Sequence, residues 1–96
     1  MKQVDLLDVL YNKQVYGAKY LNKEVTSLTN DSRSVEPGAC FIALVGEHFD
    51  GHQAVEEVVS QGVQLVVVEN YQPSYADLNA TIVVVPSTSV SYTHLT

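Results

Sequence analysis

Ninety-six residues, 46% of them hydrophobic and 17% charged, suffice for one small folded domain and leave little room for a second domain with its own active site. The formal net charge is −6, and Lys2, Lys13, Lys19, Lys23 and Arg33 are too few to build a basic face, which argues against a nucleic-acid partner. A single cysteine rules out an internal disulfide, and neither a signal-peptide pattern nor an apolar run long enough for a membrane helix is present, so the chain reads as cytoplasmic with no membrane partner.

Val4, Leu6, Leu7, Val9 and Leu10 cluster on one side of a short predicted helix, with Asp5 and Asp8 near its start. Val15-Tyr16 reads as a strand, and so does Glu24 to Thr29, in which Val25, Ser27 and Thr29 alternate with Thr26, Leu28 and Asn30. Pro37-Gly38 is a turn signal of the kind that allows positive φ at the glycine. Cys40 to Val45 is a nearly continuous apolar run, the pattern of a strand buried on both faces, and it makes Cys40 a core residue rather than a reactive thiol.

Asp50 is placed to cap a helix running from His52 to Gln61. Ala54, Val55, Val58 and Val59 form the apolar face of that helix, Glu56 and Glu57 point outward, and Gly62 is the residue that ends it. Val63 to Val68 and Thr81 to Val85 are two further buried strands, joined by a polar segment from Tyr71 to Asn79 that reads as a loop or one helical turn. Strand, helix, strand, short connection and strand in that order predict an α/β domain with a largely parallel sheet.

Much catalytic machinery is missing from the sequence. It contains no G-x-x-x-x-G-K-[ST] loop to cradle a triphosphate, no G-x-G-x-x-G and no nucleophile elbow. His48, His52 and His94 lack metal-ligand spacing. Two polar segments at predicted strand ends remain: Thr29-Asn30-Asp31-Ser32-Arg33, and Gly46 to His52 ahead of a helix N-terminus. Ligands in open α/β sheets settle at the carboxyl ends of strands, and the groups gathered here suit a sugar or phosphate. The same Asp31-Ser32-Arg33 residues also read as an Asx-type turn closed by an Asp–Arg pair, and Asp50 as a plain helix cap.

Asn30-Asp31-Ser32-Arg33-Ser34-Val35-Glu36-Pro37-Gly38-Ala39-Cys40-Phe41-Ile42-Ala43-Leu44 resembles the D-S-R-x-V-x-P-G-x-x-F-x-A-L signature of the Mur ligases. More narrowly, it resembles the first domain of the two ligases that add the third residue, or the D-alanyl-D-alanine dipeptide, to UDP-N-acetylmuramoyl peptides. Gly46-Glu47-His48-Phe49-Asp50-Gly51-His52 is similar to the G-x-x-x-D-G-H element that follows, and the likeness runs from about residue 3 to residue 89. Leu6-Leu7-Asp8-Val9-Leu10-Tyr11 is similar to the start of the third-residue ligase, whereas the segment from Glu47 to His52 fits either one.

The resemblance implies a small three-layer α/β domain with a largely parallel or mixed sheet flanked by helices. Its role would be to hold the UDP end of a UDP-N-acetylmuramoyl peptide in peptidoglycan biosynthesis. Ser32 would contact the uridine diphosphate with Asn30 and Arg33 beside it, while Glu47, His48 and Phe49 would line the uracil and ribose side. It implies no catalytic residue and no metal ligand in this chain. ATP and Mg2+ would belong to the central and C-terminal domains of the full-length parent. A stand-alone binding or regulatory module that keeps the fold without catalysis is the alternative. Residues 90–96 show no apolar stripe where the family continues into a helix, and are expected to be a frayed, foreign tail on a domain of residues 1–89.

Overall fold

The computed structural model describes residues 1–10, 12–17, 22–46 and 50–95. Five strands form one sheet: β1 (Gln14–Tyr16), β2 (Ser27–Thr29), β3 (Ala39–Ile42), β4 (Leu65–Val68) and β5 (Thr81–Val84). Their spatial order is β1-β5-β4-β3-β2. β2 to β5 run parallel in sequence order, and β1 joins β5 antiparallel, with Gln14 opposite Val84. The sheet is therefore mixed, with a parallel body and one antiparallel edge.

Helices cover both faces, which is why β3 and β4 are apolar at every position. Ala39, Phe41, Val66, Val68 and Ile82 point to one face, against Ala54, Val55, Val58 and Tyr75. Their neighbours Cys40, Ile42, Leu65, Val67 and Val83 point to the other, against Leu6, Leu7 and Leu10. Alternate residues of a strand face opposite ways, so a strand sandwiched between two layers shows no polar alternation. Three layers result, as the sequence reading expected. No helix among the described residues is long and apolar enough to cross a membrane.

The first helix, α1 (Gln3–Val9), buries Gln3, Leu6 and Leu7, and Leu10 follows on the same face. That is the i, i+3, i+4, i+7 stripe of a helix packed on one side, so Val4 and Val9 sit on its flanks at 37% exposure rather than in the core. β2 is shorter than the expected strand from Glu24 to Thr29. The Val25 N–H donates to the Met1 carbonyl and the Thr26 N–H to that of Gly38, so the chain changes partner before β2 starts. Val25 and Leu28 both pack on the layer of α1, which a continuous alternating strand would not permit.

Gly38 does not adopt positive φ; among the described glycines Gly17 and Gly62 do. Space is what Gly38 supplies, since a Cβ there would lie 2.9 Å from Thr26 Cγ2. β3 ends at Ile42 instead of Val45. Ala43 still bonds the Val67 carbonyl, but Val45 pairs back with Asp50 and is 54% exposed.

The helix expected from His52 to Gln61 opens as a 3₁₀ turn (Gly51–Ala54), capped by Asp50 as expected, and becomes α-helical only over α2 (Val55–Ser60). Gly62, at φ +104°, closes α2: its N–H and that of Val63 return to the carbonyls of Val59 and Val58 at 3.0 and 3.1 Å. A second 3₁₀ turn (Pro73–Asp77) fills the polar connection.

The expected frayed tail is instead a helix, α3 (Thr88–Leu95). It buries Thr88 and Ser91, and Tyr92 and Leu95 rest against the layer of α1. The helical spacing is present but is filled partly by Thr and Ser, so no apolar stripe announces it.

Candidate functional site

Because β2 to β5 are parallel, their carboxyl ends all open on one edge of the sheet, where α/β sheets gather ligands. The β2 exit is residues 30–34, the β3 exit residues 43–51, the β4 exit Glu69 and Asn70, and the β5 exit residues 85–87 before α3.

At the β2 exit, Asn30, Asp31, Ser32 and Arg33 line an open cleft of about 480 Å³. The Asp31 carboxylate accepts from the Arg33 backbone N–H at 2.9 Å, from Nε at 3.1 Å and from Nη2 at 3.2 Å. Thr29 Oγ1 accepts from the Asp31 N–H at 3.0 Å, and the Ser34 N–H returns to the Asp31 carbonyl. The Arg33 guanidinium, followed by its backbone N–H, holds the Asp31 carboxyl below the usual carboxylate range, and the same pairing raises Arg33. The Arg33 side chain is 88% exposed, so the ion pair adds little stability and acts mainly to set the shape of the turn. The Asx turn read from the sequence is thus the frame of the cleft. It leaves Ser32 in the cleft wall with no hydrogen bond to a described residue.

The β3 exit carries the other sequence candidates. Glu47, His48 and Phe49 lie outside the described residues. The base of their loop is tightly built: Val45 pairs with Asp50, and the Gly51 N–H donates to the Leu44 carbonyl at 2.8 Å. A Cβ on Gly51 would lie 2.8 Å from Ala43 Cα, so only glycine lets the two loop ends pass.

Sequence reasoning missed the residue that fastens Asp50 to the end of β4. His52, with an 8% exposed side chain, has Nδ1 2.8 Å from Asp50 Oδ1, and Nε2 accepts from the Glu69 N–H at 2.9 Å and the Asn70 N–H at 3.2 Å. With Nε2 accepting twice, the ring proton belongs on Nδ1, where it donates to Asp50. The backbone N–H of His52 and then its ring hold the Asp50 carboxyl below its ordinary range. The one available signal was the Asp-x-His spacing, which the capping role of Asp50 had already accounted for. Glu69 carries the link onward, its Oε1 accepting from the Thr88 N–H at 3.0 Å and Oγ1 at 3.3 Å.

Among its described residues this edge offers hydroxyl and backbone donors for binding and shows no pair of nucleophile and base. Cys40 is fully buried, and burial pushes its thiol up to about 12. No group of three or more His, Cys, Asp or Glu among the described residues is placed to hold a metal. Beside the loop, Asp50, His52, Gln53, Glu56, Gln72, Ser74 and Tyr75 line a second cleft of about 340 Å³.

Known proteins place this architecture. The sequence model described as "Mur ligase family, catalytic domain" matches residues 24–94. The UDP-N-acetylmuramoyl-L-alanyl-D-glutamate--2,6-diaminopimelate ligase of Lactiplantibacillus plantarum is 39% identical over 88 residues, covering 92% of this chain and 17% of that protein. The corresponding L-lysine ligase of Staphylococcus aureus (strain COL) is 41% identical over 76 residues, covering 79% of this chain and 15% of that one. Among solved structures, MurF from Acinetobacter baumannii superposes with a TM-score of 0.83 at 29% identity, over 98% of this chain and 20% of that chain. The chain thus spans about a sixth of the curated relatives it matches and a fifth of the solved one.

Proposed function

Because the chain belongs to the Mur ligase family, we propose that it is the part of a cytoplasmic UDP-N-acetylmuramoyl-peptide ligase that holds the UDP end of the substrate during peptidoglycan biosynthesis. One observation carries this reading. β2 and β3 are neighbouring parallel strands, with Thr29 opposite Phe41, so the Asn30–Arg33 cleft and the loop after Val45 emerge side by side at one edge.

In this proposal Ser32 donates to the uridine diphosphate from the cleft wall, with Asn30 and Arg33 beside it. Glu47, His48 and Phe49 line the uracil and ribose side. The Asp31–Arg33 pair keeps the turn open for the ligand. ATP, Mg2+ and the incoming amino acid would be handled by the central and C-terminal domains of the parent. The sequence relatives carry the names of third-residue ligases, which favours that reaction over dipeptide addition for the parent.

Titrating the 15N-labelled chain with UDP tests the proposal. The expected Kd is about 0.1–1 mM, roughly −4 to −5.5 kcal/mol, because a single domain supplies only part of the contacts. Shifts should concentrate in residues 29–33 and 46–52. Shifts elsewhere, or none at several millimolar UDP, would overturn it.

A further inference from the structure

We infer that His52 is a positioning residue: it ties Asp50, which pairs with Val45 at the β3 exit, to the end of β4 and so sets where the described ends of that exit, Gly46 and Asp50, stand relative to Ser32. The inference rests on the proposed nucleotide site for its functional consequence, and on the hydrogen bonds of His52 for its physical basis.

At its described ends the loop is held by the Val45–Asp50 backbone pairing, the Gly51 bond to Leu44 and the Asp50 cap on the His52 N–H. Those contacts join the loop to itself and to β3. His52 gives it a cross-link to a different strand. Its ring spans from Asp50, the last residue of the loop, to the backbone N–H groups of Glu69 and Asn70, where the chain leaves β4. One face of the link is a donor and the other a double acceptor, a combination that neutral imidazole supplies within one rigid ring. The ring is nearly closed off from solvent, so two backbone donors would lose their partner if it were replaced by a group that cannot accept. Asp50 would at the same time lose its ring donor and keep the backbone N–H of His52 as its remaining anchor.

Three variants separate the parts of the link. In His52→Gln the amide oxygen reaches the place of Nε2 and restores the acceptor. His52→Asn retains a donor toward Asp50 and loses the reach to β4. His52→Phe keeps the ring shape and loses both. Two readouts are taken on the 96-residue chain without ligand: solvent exchange of the Glu69 and Asn70 amides, and the 15N heteronuclear NOE of Gly46 and Asp50. UDP affinity is then measured by titration.

His52→Phe and His52→Asn are expected to speed exchange at Glu69 and Asn70, to lower the NOE of the loop, and to weaken UDP binding by about fivefold or more, the equivalent of one lost hydrogen bond. His52→Gln should return all three readouts to near the wild-type values. Ser32→Ala should weaken UDP binding without touching amide exchange or loop order. Should His52→Phe fail to fold, His52→Asn is read in its place.

Faster exchange with an unchanged loop NOE would overturn the positioning role. So would a loop that loosens equally in the Gln variant. Absence of UDP binding by the wild-type chain would overturn the nucleotide reading alone, because loop order in the variants would still decide for or against His52.

Discussion

Ser32 lies in the β2–β3 connection and Cys40 in β3, and their surroundings give them opposite prospects. Ser32 lines an open cleft, so Ser32→Ala should cost roughly 0.5–1.5 kcal/mol of UDP affinity, and more if its partner is a charged phosphate oxygen. Calorimetric titration of the variant checks this, and an unchanged Kd would remove Ser32 from the site. Cys40 is closed off, with its thiol raised from 9.0 to about 12. The unfolded chain ionises at Cys40 near 9 while the folded chain stays neutral, so this contribution to stability is complete below pH 9 and is lost as pH rises toward 12. The decline should approach about 1.4 kcal/mol per pH unit, and Cys40→Ala should remove that part of the slope in urea titrations. Gly51→Ala should destabilise by about 1–3 kcal/mol through its clash with Ala43, read as a lower thermal midpoint. At this scale the sequence located Asn30, Ser32 and Arg33 at a strand exit because the apolar run and the polar break are both local. The role of His52 escaped it because two partners of its ring, the Glu69 and Asn70 N–H groups, lie just past β4 and are invisible in the local pattern.

Among the elements, β3 and β4 were legible because burial on both faces leaves them apolar throughout, β5 because only Thr81 interrupts its apolar run, and the helical segment after β3 because Asp50 caps the 3₁₀ turn that opens it and Gly62 closes α2. Gly62→Ala places a Cβ at φ +104° and should cost on the order of 1–2 kcal/mol, measurable by denaturant melts. β2 was overextended because Val25 and Thr26 have strand composition but take their partners from Met1 and Gly38. α3 went unread because its buried positions hold Thr88 and Ser91, and its first turn is secured by a distant carboxylate, Glu69. Truncation before Thr88 uncovers α1, so it should lower the thermal midpoint by more than the roughly 4–8 °C that 1 kcal/mol represents at this size. A midpoint unmoved by truncation would show α3 to be a passenger.

For the molecule as a whole, binding without bond-making is the expectation. The purified chain should release no phosphate from ATP above background, because its sequence has no loop to cradle a triphosphate, and turnover in a ligase-free sample would refute this. The pairing of β1 with β5 carries a further consequence, in time rather than in space. Gln14 must find Val84 across nearly the whole chain, whereas every other strand joins a neighbour adjacent in sequence order. Loop-closure entropy penalises that contact until the parallel body exists to template it. On the ribosome β1 emerges early and waits unpaired for β5, so the antiparallel edge closes last, and substitutions in β1 should speed unfolding while leaving the folding rate nearly unchanged.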